Sequence, residues 1–267
     1  MQALEEGVFF GKTTNTQNLH GLTVTDTIYT HDRVDWHYHK NAYFTFILAG
    51  NLYEENKKDR NHCGAGSLLF HNSQDPHYNL KPPGFARGLH LEIEDNWYVR
   101  QAMDNQLSEG SFLVQNPAVK LEFYRMFREM QMVDDLFCQA IEEITLNIIG
   151  KLSAIKTYPL TLWPKQVLTY LYDTYQEPLS LKKLSDELNI HPVHLSRGFS
   201  KHFGMTLSDY VRRLRIEKSI SLFPQQNLSL TEIAYACGFA DQSHFNRWFK
   251  AFMHTTPAKY RALLSTC

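Results

Sequence analysis

HFNRWF, at residues 244–249, repeats the pattern of HLSRGF, at residues 194–199, 50 positions earlier in the chain. The match extends upstream, where Ser185 corresponds to Ala234 at an offset of 49, so the two copies differ by one residue in the turn before the motif. A repeated short helical unit presents two similar surfaces, which suits a partner that is itself periodic. Duplex DNA is the obvious candidate.

The first copy predicts a helix, a short turn and a second helix. Leu184 and Leu188 continue one apolar helical face, and Asn189 suits the left-handed conformation that ends a helix. Pro192 suits the first position of the next helix, because its missing N–H has no partner there. Gly204 then ends that second helix.

The second copy follows the same order. Ser229 and Glu232 have the spacing of a capping box, and Gly238 breaks the helix that they begin. A second helix is predicted from about Asp241. Between the copies, residues 207–222 predict one linker helix, and its 16 residues would span about 24 Å. Successive major-groove faces of B-DNA lie about 34 Å apart, a distance that this helix and two packed units could bridge.

The charge distribution agrees with nucleic-acid binding at this end of the chain. Residues 177–267 contain 12 lysines and arginines against 7 acidic residues, a net charge of +5, whereas the preceding residues carry −6. A near-neutral chain with one basic end indicates a nucleic-acid-binding domain attached to another domain. The structural alternative is a helical bundle whose arginines only solvate its surface.

Residues 180–264 resemble the DNA-binding domain of the AraC/XylS family. The most specific segments are residues 233–250 (IAYACGFADQSHFNRWFK) and 256–261 (TPAKYR). The resemblance implies a unit of seven helices whose two helix-turn-helix motifs enter adjacent major grooves on one face of DNA. His254 departs from the family pattern, which usually has glycine or another turn former there. Histidine can adopt a positive φ at some energetic cost, so we expect it to be tolerated.

The second helix of each motif is expected to expose one polar face. Arginine can bond guanine with two donors, and glutamine or asparagine can pair with adenine. These preferences and the family resemblance predict base contacts at Val193, Ser196, Arg197, Gln242, Ser243, Asn246 and Arg247. Lys201 and Lys250 are expected at phosphates. The alternative for Arg197 or Arg247 is an ion pair with an acid inside the domain.

The N-terminal part reads as β structure. Residues 7–95 contain short runs of β-branched and aromatic residues separated by turn signals, which predicts a sandwich or small barrel. The four cysteines lack paired spacing, which favours a reducing compartment and no structural zinc. The sequence shows neither an apolar run long enough for a membrane span nor a signal pattern. We therefore expect a cytoplasmic protein with no membrane partner.

His37 and His39 precede a long strand, and residues 66–71 (GSLLFH) and 75–77 (DPH) follow downstream. This pattern resembles the two cupin motifs, whose His-x-His pair and later histidine can hold a metal. The usual glutamate after the pair is missing, since Tyr43 and Phe44 stand there. We therefore predict no metal, no cofactor and no catalytic residue, and a pocket for a small-molecule effector. A sugar or an aromatic acid would suit its mixed lining, predicted as Trp36, His37, His39, Tyr43, Phe46, His77 and Tyr78.

Helical spacing returns over residues 117–155. Apolar residues between 141 and 152 form a stripe that could pack on the barrel or against a second copy of the chain. The family resemblance favours a homodimer. The predicted organisation is an α+β fold of two domains: a cupin-like effector and dimerisation domain (1–157), a linker (158–163), and an all-α DNA-binding domain with two helix-turn-helix motifs (164–267).

These features favour a transcriptional regulator, not an enzyme, that binds double-stranded DNA under control of an effector in the barrel. The resemblance adds RNA polymerase as a protein partner. Two alternatives remain at this point. One is a metal-dependent cupin enzyme fused to a DNA-binding domain, and the other is a regulator without an effector, whose cavity would be filled by its own side chains.

Overall fold

The computed structural model of the chain describes residues 2–57, 59–103, 110–132, 134–156, 162–225 and 227–265. The strands in these residues are β1 (Gln2–Leu4), β2 (Lys12–Leu19), β3 (Leu22–Ile28), β4 (Arg33–His39), β5 (Ala42–Ala49), β6 (Asn51–Asn56), β7 (Arg60–Gly64), β8 (Leu68–His71), β9 (His77–Leu80), β10 (Arg87–Ile93) and β11 (Phe112–Leu113). The helices are α1 (Asp95–Arg100), α2 (Pro117–Met130), α3 (Phe137–Lys156), α4 (Leu162–Thr174), α5 (Leu181–Leu188), α6 (Pro192–Phe203), α7 (Leu207–Leu222), α8 (Leu230–Ala236), α9 (Gln242–Met253) and α10 (Pro257–Ser265).

The chain divides into two compact units. The strand unit comprises Met1–Asn116 with Val133–Ala140, and the helical unit comprises Pro117–Met132 with Ile141–Cys267. The predicted α+β class with N-terminal strands and C-terminal helices is confirmed. The predicted linker, 158–163, falls mostly outside the described residues, and α4 begins at Leu162, within its last two positions.

The strand unit contains two facing sheets. One has the order β1-β4-β9-β6-β7 and the other β11-β8-β5-β10-β3-β2. Side chains alternate between the two faces of a strand, so each sheet directs every second residue inward. Ile47 and Leu69 of the larger sheet meet Leu52 and Cys63 of the smaller one in a buried cluster. Beside this cluster, a cavity between the sheets is lined by the histidines of β4 and β9.

The helical unit begins earlier than the sequence predicts, because α2 and most of α3 pack with the C-terminal helices. Lys120 of α2 forms a buried ion pair with Glu217 of α7, with Nζ and Oε1 3.1 Å apart. The Tyr260 hydroxyl of α10 donates a hydrogen bond of 2.7 Å to the carbonyl oxygen of Tyr124. These contacts join residues 97 and 136 positions apart, so local periodicity did not reveal them. The observed division differs from the predicted boundary at residue 157.

The apolar stripe predicted in α3 is largely covered within the single chain. Ile141, Ile144, Ile148, Ile149 and Leu152 are all buried, and Leu146 alone among the six residues of the stripe is exposed, at 36%. Most of this stripe is therefore unavailable to a second copy of the chain in the conformation described.

Candidate functional site

The first helix-turn-helix consists of α5 and α6. Ser180 caps α5 by accepting a hydrogen bond from the backbone N–H of Lys183, and Asn189 ends the helix in the left-handed conformation at φ 52°, as predicted. Ser185 is buried, and its hydroxyl donates to the carbonyl oxygen of Ile190, which ties the helix to the turn. Small size at this position allows the two helices to approach closely. The turn therefore sets the direction in which α6 leaves.

The second helix-turn-helix consists of α8 and α9 and repeats this construction. Ser229 and Glu232 form the predicted capping box, with both reciprocal hydrogen bonds present. Gly238 lies at φ 81°, and a Cβ there would lie 2.4 Å from the carbonyl oxygen of Gln176. Only glycine satisfies both demands. The Asp241 side chain then caps α9 by accepting from the backbone N–H of His244 at 2.7 Å.

Burial of one face of each second helix fixes which residues face outward. Leu195 and Phe199 of α6 and their counterparts Phe245 and Phe249 of α9 are at most 1% exposed. The polar side chains of each helix therefore lie on the face opposite this buried pair. Of the nine residues predicted to contact DNA, Gln242 is half-buried and the other eight are exposed. The eight are Val193, Ser196, Arg197, Lys201, Ser243, Asn246, Arg247 and Lys250.

The two arginines of these faces are available for a partner. Neither Arg197 nor Arg247 forms an ion pair with an acidic side chain among the residues that the structure describes. The Arg247 guanidinium carbon lies 5.7 Å from the centroid of the Trp248 ring, which supports the side chain from its own helix. The alternative of an internal ion pair therefore has no support within the described chain.

Gln242 is held in a defined orientation before any partner binds. The Thr231 hydroxyl of α8 donates a hydrogen bond of 2.6 Å to the Gln242 side-chain oxygen. The amide nitrogen remains as a donor, and an adenine N7 is the kind of acceptor that it can bond. Sequence reasoning did not identify Thr231, since its relation to Gln242 depends on the packing of α8 against α9.

The strand unit contains the second candidate site, a cavity of about 40 Å³ between the two sheets. Four of the seven predicted effector-binding residues line it: His37, His39, Tyr43 and His77. The other three do not. Trp36 precedes the inward His37 by one position, and Tyr78 follows the inward His77 by one. Both side chains therefore point to the outer face, where their ring centroids lie 5.1 Å apart. Phe46 is buried on the opposite face of β5 from Tyr43.

Two aromatic residues before β2 occupy the mouth of this cavity. The Phe9 ring lies parallel to the imidazole of His90, with centroids 3.6 Å apart, and stacks on His39 at 4.9 Å. Phe10 contacts His37 edge-on at 5.0 Å. The segment is anchored by the Gly7 N–H, which donates to the Glu92 carboxylate at 2.8 Å. Local sequence gives no signal for either phenylalanine, because their contacts with the strand unit depend on the path of the N-terminal chain.

Glu54 and His90 also line the cavity and are absent from the predicted lining, and His71 is buried beside them, stacked on Tyr43. Glu54 and Leu52 alternate inward on β6, and His71 and His90 lie inward on β8 and β10. Period-two alternation around Leu52 is the signal that would have found Glu54. Although no glutamate follows His39 in the sequence, β6 thus brings a carboxylate to the same interior.

Burial controls the ionisation of these groups. Desolvation raises the pKa of Glu54 to about 8, and the hydrogen bond from Asn79 opposes that shift. Desolvation lowers the pKa of His77 to about 3, helped by the nearby His37, and lowers that of His90 to about 3. The histidines are therefore neutral near pH 7, the form in which a ring nitrogen can bind a metal or accept a hydrogen bond.

Comparison with known proteins relates the helical unit to DNA-binding domains. Residues 184–263 match the family model described as a helix-turn-helix domain. Over 96 residues the chain is 34% identical to the uncharacterized HTH-type transcriptional regulator YpdC of Escherichia coli (strain K12), covering 36% of this chain and 34% of that protein. It is 32% identical to the HTH-type transcriptional activator RhaS of Enterobacter sp. (strain 638), with the same two coverages. The matched part thus spans about a third of these relatives.

Solved structures show weaker overall similarity. ToxT from Vibrio cholerae aligns over 90% of this chain and 98% of its own, with 17% sequence identity and a TM-score of 0.40. A transcriptional regulator from Chromobacterium violaceum, described as AraC-type DNA-binding domain-containing, aligns over 37% of this chain and 88% of its own, with 26% identity and a TM-score of 0.35. Among the described helices, none has the length and apolar character needed to span a membrane.

Proposed function

We propose that the chain is a sequence-specific DNA-binding transcriptional regulator of the AraC type, on the premise that residues 184–263 form a helix-turn-helix domain. The observation that supports the proposal most strongly is the pair of matched outward faces on α6 and α9, each with an exposed arginine. Similar faces on two helices suit two successive major-groove segments.

α7 would hold the two recognition helices, α6 and α9, at a fixed distance from each other. It runs without interruption from Leu207 to Leu222, as predicted, and Leu214, Ile216 and Ile220 are buried. A helix of 16 residues has a length of about 24 Å. Because a packed helix does not change length, we expect the spacing between the two DNA contacts to be constant across operators.

We expect α9 to discriminate between base sequences more strongly than α6. Its outward face has Asn246 and Arg247 as well as the oriented amide of Gln242, whereas α6 presents Val193 and Ser196 beside Arg197. Two-donor contacts with bases contribute about 1–3 kcal/mol of discrimination each. Lys201 and Lys250 are proposed at phosphates, where they would add affinity without sequence preference.

The test begins with selection of binding sites from a random duplex library. Arg247→Ala should reduce the ratio of specific to non-specific affinity by about 5- to 150-fold, the factor that corresponds to one lost two-donor contact. Lys12→Ala, which removes an exposed positive charge from β2, is the matched control and should leave that ratio unchanged. An unchanged ratio in Arg247→Ala would refute the assignment of the outward face.

We further propose that a small molecule bound in the strand unit controls DNA binding by shifting the population between competent and incompetent arrangements. The cavity of about 40 Å³ is much smaller than the 300–1,000 Å³ of most ligand pockets. Binding of a sugar or an aromatic acid therefore requires Phe9 and Phe10 to leave the cavity. Aromatic rings and neutral imidazoles would then face the ligand.

Thermal-shift screening of sugars and aromatic acids tests this proposal, because a ligand that prefers the folded state raises the melting temperature. Phe9→Ala should strengthen the response to an effector, since it removes the ring that now fills the mouth of the cavity. Val8→Ala is the matched control, because Val8 is 48% exposed and does not line the cavity. If neither the native chain nor Phe9→Ala responds to any compound, a regulator without an effector is the better account.

Two protein partners are proposed on the family resemblance: a second copy of the chain and RNA polymerase. Leu146 is the exposed member of the described apolar stripe of α3, and we propose that it contributes to a dimer contact. Analytical ultracentrifugation of the native chain and Leu146→Glu tests the dimer. Equal molecular masses for the two proteins would exclude this surface.

A further inference from the structure

Three strands bring a carboxylate and two imidazoles together inside the strand unit. Glu54 lies on β6, His71 on β8 and His77 on β9, and each offers one ligand atom within 4.8 Å of the other two. All three residues are at most 3% exposed. Such a set is buried, close and chemically mixed, unlike the acidic clusters that are common on protein surfaces.

His71 lacks the partners that a buried polar side chain normally has. Its side chain is 1% exposed, and neither Nδ1 nor Nε2 has a hydrogen-bond partner among the described residues. An unpaired buried polar group destabilises the folded state by about 1–3 kcal/mol. An unsatisfied ring nitrogen that faces a carboxylate therefore indicates a missing cation or proton.

Glu54 lacks a lysine or arginine to balance a negative charge. Its Oε2 atom lies 3.4 Å from His71 Nε2 and accepts a hydrogen bond of 3.3 Å from Asn79. Within the described part of the chain, no lysine or arginine forms an ion pair with it. A carboxylate in an apolar interior needs a positive partner or a proton.

His77 is already oriented as metal-binding histidines usually are. Its Nδ1 donates to the backbone carbonyl oxygen of Asp75 at 3.1 Å, which leaves Nε2 with a lone pair. That nitrogen now accepts a hydrogen bond of 2.9 Å from the Tyr43 hydroxyl. The Tyr43 hydroxyl would have to turn away for a metal to take its place.

We propose that Glu54, His71 and His77 bind one divalent transition-metal ion. Two imidazoles and one carboxylate suit zinc or ferrous iron, and three protein ligands leave a position for water or for an oxygen of a molecule in the cavity. Bonds of about 2.1 Å in a tetrahedral site place ligand atoms about 3.4 Å apart, so the three side chains would close in on the ion. Glu54 lies outside the cupin-like motifs, and their His37 and His39 remain beside this set.

The test uses the full chain, purified without metal-chelate chromatography. Its metal content is measured by mass spectrometry, and the metal-free protein is titrated with Co²⁺, whose visible absorption reports coordination, and then with Zn²⁺ in competition. We expect one ion per chain. Glu54→Gln preserves shape but removes the charge, and it should weaken Co²⁺ binding by at least about 100-fold.

Two matched variants locate the ion. His62→Gln changes an exposed histidine on β7 and should bind Co²⁺ as the native chain does. His37→Gln changes the neighbouring histidine set and should retain binding within about tenfold. Near-ultraviolet circular dichroism checks the packing of each variant, and His71→Gln, with the same expected loss, replaces Glu54→Gln if that variant does not fold.

Two results would overturn the proposal. One is the absence of stoichiometric Co²⁺ and Zn²⁺ binding in the native chain, which would leave a shared proton between Glu54 and His71 as the explanation of their proximity. The other is native affinity in Glu54→Gln together with loss of binding in His37→Gln, which would place the ion on His37, His39 and His77 instead.

Discussion

Gly204 and His254 occupy equivalent positions in the repeat, and exchanging their residue types should change stability in opposite directions. Each is the C-cap of an outward-facing helix, with φ 67° at Gly204 and φ 53° at His254. The left-handed conformation is unfavourable by about 1–2 kcal/mol for a residue with a Cβ, whereas glycine adopts it freely. His254→Gly should therefore relieve strain, and Gly204→His should introduce it.

The magnitude follows from the surroundings of the two sites. A Cβ at Gly204 would have no atom within 4 Å, so Gly204→His carries the conformational penalty without a steric one. His254 is exposed, and its side chain has no hydrogen bond or ion pair among the described residues. Glycine loses about 0.5–1 kcal/mol through the entropy of the unfolded chain, which offsets part of the relief. We expect about 0.5–1 kcal/mol of stabilisation in His254→Gly and a similar loss in Gly204→His.

The assay is urea unfolding of the full chain, followed by circular dichroism at 222 nm, which reports mainly on the helical unit. It is performed at pH 8, because partial burial and the nearby Arg125 and Arg128 lower the pKa of His254, which keeps its imidazole neutral there. The double variant should return to native stability within about 0.5 kcal/mol. Asn189→Gly is the control, because asparagine tolerates the conformation and the gain should be smaller. A loss of stability in His254→Gly would refute this reasoning.

Three further predictions concern buried groups. Gly238→Ala should lower the free energy of unfolding of the helical unit by at least about 2 kcal/mol, because its Cβ would collide with the Gln176 carbonyl oxygen and φ is positive. Urea unfolding measures the change, and a loss below about 0.5 kcal/mol would contradict the prediction. Arg87→Met should destabilise the strand unit by about 3–5 kcal/mol, since it leaves the Asp26 carboxylate buried and unpaired; Arg87→Met with Asp26→Leu should recover most of that loss in the same assay. Burial lowers the pKa of His90 to about 3, so between about pH 6.5 and 3 the unfolded chain binds a proton that the folded chain does not. The stability of the native chain should therefore fall as the pH drops through this range. Near-ultraviolet circular dichroism measured against pH should show a flatter dependence in His90→Gln, and an equally steep dependence would exclude His90 as a cause.

The helix-turn-helix pairs could be predicted from the sequence because their signals are local. Asn189, Gly238 and the capping box at Ser229 each act within a few residues, and the structure places all of them as predicted. The repeat supplied a helix-ending residue and a serine cap in each copy. Even His254, a departure from the family pattern, takes the left-handed conformation expected of it.

The interior of the strand unit was harder to predict because it depends on strand order and on alternation. Glu54 meets His77 only because β6 pairs with β9, a relation between strands about twenty residues apart. A register irregularity between Val34 and His37 also shifts which residues of β4 face inward. Residue composition alone therefore selected Trp36 and Tyr78 for the cavity, while the pleat directs both outward.

Hydroxyl-radical footprinting of the selected duplex tests the central claim most directly. If α6 and α9 read successive major grooves on one face of DNA, two protected patches should appear about one helical turn, 10–10.5 base pairs, apart. Arg197→Ala should weaken one patch and Arg247→Ala the other. A single patch, or two patches that respond equally to both variants, would contradict the account of two separate readers joined by α7.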